Sequence, residues 1–164
     1  MKSMLFGLAF LLTASTVLAQ DPPKSPRVTA TGDNVEIAYG QPSKRGRVIF
    51  GELEKYGKVW RAGANKSTDI TFKKDATFGG KPVKAGTYAL FIIPEEKDFT
   101  FILNSVTGQP GAYDYEKNKD KDVLQVKVPR QKTASTVEKL TFSLPKGSLV
   151  FEWDDAKAVV PIKI

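Results

Sequence analysis

The stretch Trp60-Arg-Ala-Gly-Ala-Asn65 concentrates more chemical capacity than any other part of the chain. The Arg61 guanidinium carries five N–H donors in a planar fork that matches a carboxylate or a phosphate. Gly63 allows a tight turn, so the amides around it and the Asn65 carboxamide can converge on one spot. With Arg47 upstream, Arg61 and Asn65 can build a small recess for a carboxylate, a phosphate or sugar hydroxyls. Tyr56 and Tyr113 supply flat rings of the kind on which a sugar face stacks, and Trp60 borders the same set. These six residues are the candidate ligand-binding set. The motif also has a purely structural reading. An Arg beside a Trp can clamp a loop by bonding backbone carbonyls or an Asp at the edge of the core, and Gly and Asn can be there only to supply positive φ.

Other chemistry is narrowed by what is missing. The chain has no His and no Cys. That removes the Ser-His-Asp triad, the Cys-His pair, His/Cys zinc sites and haem attachment. Catalysis would have to use carboxylates, Lys, Tyr, Ser/Thr or a hard metal on oxygen ligands. Glu95-Glu96 and Asp154-Asp155 are paired carboxylates in expected turns. Glycoside hydrolysis needs two carboxyls about 5–10 Å apart across a cleft, which adjacency in a turn does not supply. Asp114–Asp122 alternates oxygen-bearing side chains as calcium loops do. However, Lys119 sits where such a loop needs Gly, Gln125 where it needs Glu, and interleaved lysines oppose a cation. It reads as a solvated charged loop. No catalytic set, metal site or cofactor is therefore expected. A P-loop, a dinucleotide fingerprint and basic–aromatic interleaving are all missing, so no nucleic-acid partner is expected either.

The elements that must position these residues are strands. Val28–Thr31, the turn Gly32-Asp-Asn34 and Val35–Tyr39 read as strand, turn, strand, with Val35, Ile37 and Tyr39 on one face. Gly40–Gly46 is a loop, Val48-Ile-Phe50 a short apolar piece, and Glu52–Tyr56 one helical turn. Gly57–Arg61 and Asp69–Phe72 follow as strands. Ala76–Phe78 and Lys81–Lys84 form a hairpin through Gly79-Gly80. Ala85–Pro94 is the most hydrophobic strand and is apolar on both faces, as a strand covered on both sides must be. It pairs with Phe99–Asn104 through the Glu95–Asp98 turn. Val123–Pro129, Glu138–Phe142, Leu149–Trp153 and Lys157–Ile164 complete the set, with Pro161 requiring an edge or a bulge. Phe142, Phe151 and Trp153 are read as core. Short strands spaced by turn signals, with no long amphipathic helix, predict an all-β antiparallel sandwich, jelly-roll connectivity being one form of it.

Residues 27–164 form one such domain, of ordinary size. Met1–Ala19 reads as a signal peptide: a Lys, an apolar run from Met4 to Leu12, then Val17 and Ala19 at the cleavage-site positions. That run is shorter than the roughly 20 apolar residues of a membrane span. The expectation is export to the periplasm or the medium, with an extended Pro-rich leader over residues 20–26. Without Cys or a second apolar run, no membrane anchor is expected after cleavage. The formal charge is +7. It suits an anionic partner, although the lysines are scattered and fit a solvated surface better.

Arg45–Gly51, Tyr56–Asn65, Ala85–Pro94, Gly111-Ala-Tyr-Asp-Tyr115 and Phe151-Glu-Trp153 together resemble domain of unknown function family 2911, an exported bacterial domain. The resemblance spans the chain beyond the leader. It implies a compact exported β domain and supplies no substrate, cofactor or catalytic residue. The residue types favour non-catalytic binding of a small polar or anionic ligand such as an envelope glycan. The alternatives are an envelope structural or protein-interaction module and a carboxylate-based hydrolase.

Overall fold

The computed structural model describes residues 25–164. The expected signal peptide and residues 20–24 of the leader lie outside the described residues. Pro26, expected in the loose leader, is already tied down: the Gln41 amide donates to its carbonyl at 2.8 Å.

The strands among the described residues are β1 (Arg27–Thr31), β2 (Val35–Gly40), β3 (Thr68–Phe72), β4 (Ala76–Phe78), β5 (Lys81–Val83), β6 (Gly86–Pro94), β7 (Asp98–Asn104), β8 (Asp122–Pro129), β9 (Gln131–Ser143) and β10 (Ser148–Lys163), with one α-helix, α1 (Ala112–Asn118). A six-stranded sheet runs β1-β2-β3-β6-β7-β8 and a four-stranded sheet runs β5-β4-β10-β9. Every strand pairing is antiparallel. The two sheets are not closed into a barrel, so the architecture is an all-β sandwich. Its connectivity is not that of a jelly roll. The large sheet is two three-stranded meanders, joined where the β4–β5 hairpin leaves for the other sheet and returns.

Alternation decides which side chains meet between the sheets. Val35, Ile37 and Tyr39 of β2 face inward, as do Leu90 and Ile92 of β6 and Phe99, Phe101 and Leu103 of β7. Phe142, Phe151 and Trp153 join them from the small sheet. Ala89 and Phe91 of β6 point the other way and, with Ile102, are covered by Tyr115 of α1. The two-faced apolar strand is thus buried on both sides. The β4–β5 turn uses glycine twice, at φ 58° and 80°. A Cβ on Gly79 would sit 2.2 Å from Val126, so a side chain has no room there.

Several local expectations change. Glu52–Tyr56 forms no helical turn; the Glu54 amide bonds the Ile49 carbonyl at 2.8 Å in a wider turn. Residues 114–122 are not a loop but the body of α1, a short 3-10 turn and the start of β8. Asp154-Asp155 is not in a turn. It lies in β10 at a bulge, with Asp154 at φ 56° and the register to β9 shifted on either side.

The connection from β2 to β3, residues 41–67, contains no named strand or helix. It stays ordered because it plugs one end of the sandwich with apolar pegs: Ile49, Phe50, Trp60 and Ala62 are all buried. Phe50 meets the rings of Phe99, Phe151, Trp60 and Trp153 edge-on, with centroids 5.3–6.3 Å apart. Ring pairs of this geometry add about 0.5–1.5 kcal/mol each beyond area burial. Long strand-free connections are uncommon in compact domains and are often functional.

Candidate functional site

The long connection folds into the walls of a recess of about 730 Å³. That volume falls in the range of small-molecule sites, about 300–1,000 Å³.

One wall is the segment Gln41–Arg47, laid along β9. The Lys44 amide donates to the Glu138 carbonyl at 2.7 Å and the Leu140 amide to the Pro42 carbonyl at 3.0 Å. The Arg45 amide donates to Glu138 Oε1 at 2.8 Å. Arg47 folds back on its own loop, donating from Nε to the Lys44 carbonyl at 2.9 Å and from Nη2 to the Ser43 carbonyl at 2.7 Å. Behind this wall, Lys44 pairs with Asp154 at 3.2 Å.

The opposite wall is the Trp60–Thr68 turn. Trp60 exchanges two backbone hydrogen bonds with Ile92, at 2.8 and 2.9 Å, and so continues the sheet where β3 has stopped. The turn closes when the Thr68 hydroxyl donates to the Ala62 carbonyl at 2.8 Å. Positive φ falls on Ala62 (55°) and Asn65 (68°), not on Gly63. Gly63 and Gly40 serve close approach: a Cβ on Gly40 would lie 2.1 Å from the Ala64 carbonyl oxygen. The Ala64 amide donates to the Gly40 carbonyl at 3.1 Å, which fixes this wall to the end of β2. Asn65 Nδ2 donates to the Ser25 carbonyl at 3.3 Å.

Leu53, Glu54 and the edge of Trp153 lie between the walls, and Arg45 and Lys139 add positive charge at the rim. Arg61 differs from Arg47. Its Nε is shielded from water and finds no hydrogen-bond partner. Burial without a partner costs about 1–3 kcal/mol, more for a charged group. The carboxyl of Glu54 is pushed up to about 7, first by burial, which Arg61 and Arg47 only partly offset. The recess thus holds a carboxyl that titrates near neutrality among four cationic side chains.

Of the six residues singled out by sequence, Arg47, Arg61 and Asn65 line one recess. Trp60 does not; it is 5% exposed in the core, stacked on Trp153 with centroids 5.6 Å apart. Its inward direction turns Arg61 outward, as strand alternation requires. Tyr56 is half-buried elsewhere, its hydroxyl accepting from Arg130 Nη1 at 3.0 Å. Tyr113 is 78% exposed on α1, with the Lys117 ammonium 4.6 Å above its ring. The expected stacking wall of Tyr56 and Tyr113 is therefore not assembled. Gly111 does not line the recess but lies against Arg61: a Cβ there would be 3.5 Å from Arg61 Nη1. Glu54, Arg45 and Lys139 complete the recess and were not singled out. Lys139 arrives only through the pairing of β9 with Ser43.

The carboxylates of the calcium-like stretch are engaged with the protein. Asp120 pairs with Lys121 at 2.7 Å, and Asp122 accepts from Asn104 at 2.9 Å and from the Tyr115 hydroxyl at 2.7 Å.

A family model described as protein of unknown function (DUF2911) matches residues 21–162. No curated protein and no solved structure matches the chain.

Proposed function

The chain belongs to the DUF2911 family, whose description assigns no activity, and from the chemistry of its recess we propose that it binds a small anionic ligand without transforming it. One observation carries this reading. Arg61 lines a recess large enough for a small molecule, and its Nε is both withheld from water and unpartnered. Nε lies too deep for a ligand to touch unless the side chain shifts, so a carboxylate or phosphate oxygen would meet the guanidinium at its Nη donors, through charge-assisted bonds, the stronger kind. Arg45, Arg47 and Lys139 give the mouth a positive field that favours an anion. With residues 1–19 read as an export signal, the ligand is one met outside the cytoplasm, such as an acidic envelope glycan or a fragment of one. Hydrolysis by two carboxyls is less well supported, because Glu54 is the one carboxylate among the described residues that line the recess.

Thermal unfolding of the wild type and of Arg61→Ala, each with glucuronate, acetate and inorganic phosphate, tests the proposal. The expected result is an anion that raises the wild-type midpoint and leaves the variant unmoved. At a ligand concentration 100 times Kd the stabilisation is about 2.7 kcal/mol. If no anion moves either protein and Arg61→Ala melts early, Arg61 is a clamp. The protein-interaction alternative then takes precedence.

A further inference from the structure

Glu54 and Arg61 line the same recess, opposite in sign, with the Glu54 carboxyl and the Arg61 Nε buried, and among the described residues they form no ion pair within 4.0 Å. Ion pairs do form elsewhere, at Lys44 and Asp154. The recess is therefore lined by both a donor group and an acceptor. Both are carried by rigid backbone: Arg61 follows the Trp60–Ile92 bridge, and Glu54 sits in a turn closed by its own amide to Ile49 and by the Gly51 amide to its carbonyl at 2.9 Å.

We infer that the ligand is a hydroxy acid of the acidic-sugar class, its carboxylate held by Arg61 and a neighbouring hydroxyl donating to Glu54. The inference rests on the anion reading above and adds the second contact. Other small ligands leave one side unmet. Sulfate, which carries no proton, presents acceptor oxygens in every direction and sets one against the Glu54 carboxylate. A simple carboxylate gives Glu54 no donor. A neutral sugar leaves Arg61 unpaired. An ammonium bound at Glu54 would sit among Arg45, Arg47, Arg61 and Lys139. A sugar acid supplies an anion and an adjacent donor on one rigid ring, and its C–H face suits Leu53, which is partly exposed on the same wall. Buried polar groups discriminate strongly between ligands that do and do not pair with them.

Titration calorimetry at pH 8, where Glu54 is mostly ionised, tests this with glucuronate, glucose, acetate and sulfate. The expected wild type binds glucuronate at least tenfold more tightly than acetate or sulfate and shows no binding of glucose. Glu54→Ala is expected to bring glucuronate down to the level of acetate without weakening acetate. If Glu54→Ala does not fold, Glu54→Gln is expected to weaken glucuronate at least threefold and not acetate. Acetate or sulfate binding as tightly as glucuronate, or an unchanged glucuronate affinity in the Glu54 variant, overturns the hydroxyl contact and leaves the anion reading standing. Glucose binding as tightly as glucuronate, or no anion binding at all, removes both.

Discussion

Two of the protein's concavities lie at opposite ends of β2, and they are built differently. Beyond Gly40 lies the recess of Arg47, Glu54 and Arg61; at Val35 lies a crevice of about 420 Å³ between the Gly32-Asp33 turn, Leu144–Ser148 and the C-terminal Ile162–Ile164. The crevice is made of hairpin turns whose backbone is internally paired: Gly32 to Val35 and Ser148 to Pro145, at 2.8 and 3.1 Å. Its charged groups, Asp33, Lys146 and Lys163, are exposed. The recess contains a water-excluded guanidinium nitrogen without a partner and a carboxyl pushed up to about 7. Volume does not separate a site from a surface fold. Polar capacity that the protein itself leaves unsatisfied does.

The strongest way to break this contrast is to remove what supports the recess from below. Trp60 is almost fully buried and stacked on Trp153. Trp60→Ala is expected to cost about 3–5 kcal/mol, the usual cost of an emptied aromatic site in a core. Chemical denaturation measures it. A loss below about 1 kcal/mol would mean that the turn stands without the core and that Trp60 is not its foundation.

Next in size is a gain. Glu54 has a folded-state value of about 7 against 4.5 for the free group. Burying the carboxylate therefore costs stability. The cost is absent below about pH 4.5, where both folded and unfolded states are protonated. It grows as pH rises to 7 and is constant above that, at about 3 kcal/mol. Glu54→Gln is expected to be more stable than wild type at pH 8 and equal to it at pH 4, as read by urea midpoints across that range. Equal stability at both pH values would show that Glu54 is well hydrated and would weaken its place in the site.

Two arginines on facing walls sharpen the comparison further. Arg47 donates to two carbonyls of its own loop, whereas Arg61 Nε donates to none. Arg47→Ala is expected to lose about 1–2 kcal/mol, the worth of two charge-assisted bonds at an exposed position. Arg61→Ala is expected to lose less than that and to lose anion binding instead. Carbonyl bonds of the kind a clamp uses are made by Arg47, to Lys44 and Ser43. Thermal midpoints with and without glucuronate separate the two; the reverse pattern would reassign their roles.

How much of this was legible in the sequence follows from how local each signal is. The inward face of β2, the Gly79-Gly80 hairpin and the two covered faces of β6 rest on period-2 alternation and turn chemistry within a few residues. The convergence of Arg47, Arg61 and Asn65 was also legible, as residue types at the ends of short apolar pieces. Glu54 was not, because its chemistry comes from burial between two arginines. Lys139 was not, because β9 brings it. The start of β9, Gln131–Thr136, alternates no apolar face and looks like linker, yet it pairs with β10 at Lys132–Ala156 and Gln131–Lys157. Tyr56 and Tyr113 failed as a pair for a similar reason. Ring type says what can stack, but Arg130 and α1 decide where those rings go.

The smallest expected effect is the control on which the contrast depends. Lys146 and Lys163 border the crevice, both are exposed, and neither forms an ion pair among the described residues. Replacing both with Ala removes two positive charges from the protein, one more than Arg61→Ala removes. If anion binding reflects overall charge, the double variant should weaken it at least as much as Arg61→Ala does, because long-range attraction depends on net charge and is screened over about 8–10 Å at ordinary salt. If binding depends on the Arg61 guanidinium held in a shaped recess, the double variant should bind glucuronate within twofold of wild type. Its stability should stay within about 0.5 kcal/mol, as for surface changes generally. Calorimetry at two salt concentrations separates these outcomes: a shared loss that fades with salt would make the two ends of β2 electrostatically equivalent, and an undisturbed double variant would confine recognition to the Gly40 end.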